Sequence, residues 1–78
     1  MRGPRAAEPL PDVPSGPIDK EPCHFVPRTD RARALRAELR AAGVELGAYD
    51  ERIIAWLTGW EWSTVAVVTS LIHRAHRR

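Results

Sequence analysis

Residues 49–72 read YDERIIAWLTGWEWSTVAVVTSLI and hold most of the large apolar side chains of a 78-residue chain. Tyr49, Ile53, Trp56 and Leu57 recur at i, i+4, i+7 and i+8, the period of one helix face. Val65, Val68, Leu71, Ile72 and Ala75 repeat the pattern downstream. Gly59-Trp60-Glu61 lies between the two runs and breaks them. Two short helices joined by a tight corner follow, over about residues 48–58 and 62–75. Asp50 and Glu51 suit the first turn of the earlier helix, where its dipole favours acids. Its buried stripe is expected to be Tyr49, Ile53, Trp56 and Leu57.

Upstream, residues 30–42 are rich in alanine and arginine, both good helix formers. Thr29 or Asp30 can cap this helix, and Gly43 supplies its left-handed stop. Ala32, Leu35, Leu39 and Ala42 form a narrow inner stripe, with Arg33, Arg36 and Arg40 on the other side. Val44 and Leu46 are expected to plug the corner into the next helix. All seven prolines lie at or before Pro27. Each removes a backbone donor and disfavours helix in the residue before it. Residues 1–28 are therefore expected to be a disordered proline-rich tail, and residues 29–78 an all-α domain of three short helices. Phe25 and Val26 are the apolar residues by which the tail can fold back.

Size and charge narrow the function. A folded part of about 50 residues buries a small share of its surface and is marginal alone, so a partner or a second copy is expected. The formal net charge is only +2, which permits nucleic-acid binding without demanding it. No apolar run approaches the roughly 20 residues of a membrane span, and none follows Arg2 and Arg5 as a secretory leader would require. The expected compartment is the cytoplasm.

Catalysis has little to stand on. Cys23 is the single cysteine and lies among prolines, without a frame to hold it against a histidine. No glycine-rich phosphate loop is present, and a domain this small rarely encloses a substrate cavity. His73 and His76 stand i, i+3 and could share an ion. Completing a closed zinc site would draw on Cys23 and His24, adjacent residues poorly arranged for a tetrahedron. The expectation is a non-enzyme with no catalytic residues, no cofactor, no metal site and no small-molecule substrate.

Two functions remain. Trp56, Trp60 and Trp62 put three tryptophans in seven residues. Trp56 reads as core, but Trp60 and Trp62 cannot both be buried at a turn of so small a fold. Tryptophan is a favoured anchor of interfaces. The leading expectation is a module that binds a protein partner, or self-associates, through Trp60, Trp62 and the nearby Val67.

The alternative rests on a resemblance. Ile54-Ala55, Leu57, Gly59, Thr64 and Val65 fall in the order I-A-x-L-x-G-x-x-x-x-T-V, similar to the C-terminal helix-turn-helix of bacterial sigma factors and related response regulators. The longer segment GVELGAYDERIIAWLTGWEWSTVAVV also resembles small helical proteins of actinobacteria. The first resemblance implies that the third helix reads the major groove through Ser63, Ala66, Val67, Ser70 and Arg74. Arg77, Arg78 and the first helix's Arg33, Arg36 and Arg40 would then meet phosphates. Ser63, Ala66, Val67 and Ser70 offer few long donors for base edges, which places DNA binding second.

Overall fold

The computed structural model describes residues 10–77. Three helices follow in order, α1 (Arg28–Ala41), α2 (Ala48–Leu57) and α3 (Trp62–His76), with no strand among the described residues. The all-α, three-helix expectation holds, and the helix bounds fall within two residues of those read from the sequence.

The helix ends follow from local chemistry. α1 begins on Pro27 rather than on Thr29 or Asp30; the Arg31 amide takes the Pro27 carbonyl at 2.9 Å. Its other end is closed by Gly43 at φ 77°, which only glycine adopts freely. Gly43 N–H donates to the Arg40 carbonyl and Val44 N–H to the Leu39 carbonyl, each at 3.0 Å, the Schellman arrangement. At the start of α2, the Asp50 carboxylate accepts the Gly47 amide at 2.9 Å. At its end, the Gly59 and Trp60 amides take the Trp56 and Leu57 carbonyls at 3.1 and 3.0 Å. This turns the chain directly into α3.

α1 and α3 form the packed pair of the fold. Small residues dominate their shared core, and Leu35 is buried on α1 outside that cluster. Ala34, Leu35, Val65, Ala66, Thr69 and Ser70 are buried, and Trp62 closes one end against Val26. Small side chains let two helices approach closely, which compensates for the narrow stripe of α1. The inner line of α1 is Arg31, Ala34 and Leu35, one position rotated from the stripe read in the sequence; Ala32 and Leu39 are half-buried and Ala42 is exposed. α3 is rotated too, in the opposite sense, toward Ala66, Thr69 and Ser70. Val68 and Ile72 are half-buried, and Leu71 and Ala75 face out.

Residues 10–27 contain neither helix nor strand, but part of the segment is tied down. Val13 packs against the core, and the Pro14 carbonyl accepts the Ser70 hydroxyl at 2.6 Å. Val26 is buried, whereas Phe25, expected to fold back with it, is exposed. Residues 1–9 of the expected tail lie outside the described residues.

α2 departs most from expectation. None of its ten residues is buried. Tyr49, Ile53 and Trp56, read as its inner stripe, are exposed, and Leu57 is half-buried. Ile54 and Leu57 are its half-buried residues, and polar ties add to them. Arg31, itself buried, donates from Nε to the Thr58 carbonyl at 3.0 Å and from Nη1 to the Val26 carbonyl at 2.7 Å. Arg28 donates to the Ala55 carbonyl at 3.0 Å, and Arg36 pairs with Glu51 at 2.8 Å.

Two stability measurements check this account. Arg31→Ala leaves two carbonyls without their charged donor and is expected to cost about 2–4 kcal/mol in denaturant unfolding, with Arg31→Lys recovering part of it. A loss below about 0.5 kcal/mol would remove Arg31 from its central place. Thr69 Oγ1 is buried without a hydrogen-bond partner among the described residues. Thr69→Val keeps the shape and deletes the unpaired hydroxyl, so it is expected to raise stability by about 1 kcal/mol.

Candidate functional site

The three tryptophans are distributed differently from the sequence reading. Trp62 begins α3 and points into the α1–α3 contact, where it is 2% exposed. It is core, and this corrects its assignment to a docking surface. Trp56, read as core, faces solvent instead. The reversal has a steric cause. The α1 residue in the core cluster is the small Ala34, and Trp62 packs with it and Val26 at that end of the pair. α2 stands outside this contact and keeps its rings outside with it.

The result is a row along α2 and its following turn. Tyr49, Ile53, Trp56 and Trp60 are 69%, 40%, 60% and 46% exposed and recur at i, i+4, i+7 and i+11. This spacing aligns Tyr49, Ile53 and Trp56 on one helical face, and Trp60 follows in the turn. Trp56 and Trp60 meet edge to face, with centroids 5.8 Å apart and planes at 79°. Arg52 lies over the Tyr49 ring at 5.9 Å from its centroid. Of the expected protein-binding residues, Trp60 belongs to this row, Trp62 does not, and Val67 is half-buried on α3. Tyr49, Ile53 and Trp56 are the members the sequence reading placed inside. Their helical spacing is visible in the sequence, but spacing alone does not say which way a stripe faces.

The face assigned to DNA is turned inward. Ala66 and Ser70 are fully buried and Ser63 and Val67 half-buried. Arg74 donates from Nε to the Ser70 hydroxyl at 3.0 Å. None of these can enter a groove while α3 packs on α1. The arginines of the first helix are also engaged: Arg36 pairs with Glu51, and Arg33 lies 3.3 Å from Asp30. Arg40 and Arg77 are exposed, and Arg78 lies outside the described residues.

A second polar cluster joins the helices at the far end of α3. Glu38 of α1 receives His73 Nδ1 on one carboxylate oxygen at 3.0 Å and His76 Nε2 on the other at 2.9 Å. Burial pushes the Glu38 carboxyl up. The hydrogen bonds from His76 and His73, with the charge of the two rings, outweigh it and hold the group below its ordinary value. The two rings meet edge to face, 5.9 Å between centroids. Cys23 and His24, weighed with these histidines in the sequence, line a groove with Glu61, Trp62 and Ser63 at the opposite end of α3. Cys23 is an exposed free thiol that lies 3.6 Å from the Glu21 carbonyl.

Among the described residues no helix is long and apolar enough to cross a membrane. In comparisons with protein-family models, curated proteins and solved structures, nothing matches this chain.

The opposite placements of two tryptophans give a direct check. Trp62→Ala is expected to destabilise by about 3–5 kcal/mol, as buried aromatics do, and Trp60→Ala by less than about 1 kcal/mol. Equal losses in thermal or denaturant unfolding would mean that Trp60 is core as well.

Proposed function

We propose that this chain is a non-enzymatic helical interaction module that pairs with a second copy of itself through the α2 row. The observation that carries this reading is that no residue of α2 is fully buried while Tyr49, Ile53 and Trp56 stand exposed on it, with Trp60 of the following turn against Trp56. A ten-residue helix is shorter than isolated helices that persist in water, and most helical stability in proteins comes from burying an apolar face. Within its own chain α2 has only the partial burial of Ile54 and Leu57.

Charge supports a second copy as the occupant. The four side chains of the row carry no charge, and the one cation resting on it, Arg52, lies over the Tyr49 ring beside Asp50 and Glu51. The start of α2 holds Asp50 and Glu51, and its end lies beside the Arg28 guanidinium. In an antiparallel pairing about a two-fold axis, each acidic start meets the basic end of the other copy. The two helix dipoles then also run in opposite senses. The exposed fractions of the four side chains correspond to about 500 Å² per copy, or about 1,000 Å² across a pair. That is the lower limit of a specific interface, which fits a reversible dimer rather than a permanent one.

Sedimentation of the purified chain across a concentration series tests the proposal. A monomer–dimer equilibrium in the micromolar range is expected. Ile53→Glu, an exposed position at the middle of the row, is expected to shift the dissociation constant upward at least tenfold with helicity retained. Trp60→Ala should weaken association less. A wild-type chain that stays monomeric throughout, or an Ile53→Glu chain that dimerises undiminished, overturns the α2 pairing. A stoichiometric complex with a different helical protein that blocks self-association would make that protein the occupant instead.

A further inference from the structure

We propose that Glu38, His73 and His76 form a site for a divalent transition-metal cation, with zinc as the reference ion, that pins the last turn of α3 to α1. Two imidazole nitrogens and one carboxylate oxygen are a donor set that zinc accepts in open sites, where water takes the fourth position. The three residues come from two helices, and the fold rather than the sequence brings them together. Glu38 and His73 lie 35 residues apart.

The geometry is close to what an ion needs. The ligand atoms of all three residues lie within 4.8 Å of one another. Ligand bonds of about 2.0–2.2 Å place the donors of a tetrahedral zinc about 3.4 Å apart. The two nitrogen–oxygen separations, 3.0 and 2.9 Å, are hydrogen bonds to different carboxylate oxygens, so the pair that coordinates opens slightly and the second ring turns toward the coordinating oxygen. The two ring nitrogens also draw together, and both residues sit on the final turn of α3. The side chains of His73, Glu38 and His76 are 15%, 16% and 24% exposed. They are held in place yet reachable by a hydrated ion.

The electrostatics point the same way. The free carbonyls of the last turn give the C-terminal end of α3 negative character, which favours a cation. Glu38 brings a full negative charge. Coordination requires each ring to present a lone pair, so His73 carries its proton on Nε2 and His76 on Nδ1 when the ion is bound. Arg74, the neighbouring cation on α3, directs its Nε to Ser70. The metal bonds then replace two hydrogen bonds with a three-point clamp between helices.

The test uses the full chain, free of any histidine tag and stripped with chelator, titrated with zinc chloride by calorimetry near neutral pH. One zinc per chain with micromolar affinity is expected. The thermal midpoint should rise by at least about 5 °C at saturation. Magnesium and calcium should produce neither effect, since both prefer all-oxygen sites. Glu38→Gln and His76→Gln are each expected to weaken binding at least tenfold. His76 lies at the end of α3, so His76→Gln keeps the test decisive if Glu38→Gln fails to fold. The double variant Cys23→Ser/His24→Gln should bind as the parent does. The site is overturned if sub-millimolar zinc gives no binding, or if His76→Gln binds undiminished. Loss of binding in the Cys23/His24 variant, or one zinc shared between two chains, would overturn it equally.

Discussion

The arrangement of this molecule depends on one buried guanidinium. Arg31 sits at the inner face of α1 and donates to the Val26 carbonyl on one side and the Thr58 carbonyl on the other. Those two carbonyls belong to the segment entering α1 and to the end of α2. A single side chain thus fixes three parts of the chain at one point. A buried charge is costly unless its donors are used, and hydrogen bonds to a charged group are about twice as strong as neutral ones. Arginine suits this role because its planar fork reaches two acceptors in different directions. Arg28, donating to the Ala55 carbonyl one turn away from Arg31, adds a second tie of the same kind.

Holding α2 by its backbone carbonyls has a consequence for its side chains. A helix docked through apolar contacts must turn its apolar stripe inward. A helix docked through arginine-to-carbonyl bonds and the Arg36–Glu51 pair is free to turn that stripe out. The exposed row of Tyr49, Ile53, Trp56 and Trp60 is therefore a property of how α2 is attached, not a defect of packing. It also explains why so small a domain can spare two tryptophans from its core. The core needs only Trp62, because α1 and α3 meet through alanine, serine and threonine.

This division decides what was legible in the sequence. The helices and their bounds were readable because Gly43, Gly47 and Gly59 punctuate the chain and the apolar residues keep helical spacing. The facing of α3 was not. Val68, Leu71 and Ile72 are its more hydrophobic stripe, yet Thr69 and Ser70 lie inside. Close approach to the alanines of α1 favours small residues over hydrophobic ones, and the Pro14 carbonyl gives Ser70 a partner there. Hydrophobicity alone cannot report such a contact. The same rotation buries Ala66 and Ser70, the positions that a groove-reading helix would need on its outside. Arg31 and Glu38 were missed for a related reason. Charged residues in an alanine-rich helix read as solvated until their partners, dozens of residues away, are in place. His73 and His76 were noticed as a pair, but the acceptor between them belongs to α1, whereas Cys23 and His24 lie at the other end of α3.

The two polar clusters play complementary parts in one design. Arg31 ties α1 to the segments at the Trp62 end of α3, and Glu38 ties it to the opposite end through His73 and His76. Between them the α1–α3 pair is fastened at both ends, with a thin apolar contact in the middle that could not hold the helices alone. α2 is joined to that pair at the Arg31 end. Any stiffening at the Glu38 end therefore acts away from the aromatic row, which sits at the Arg31 end. The fold separates a rigid two-helix base from a presented helix, and the separation runs through side chains that the hydrophobic pattern of the sequence does not mark.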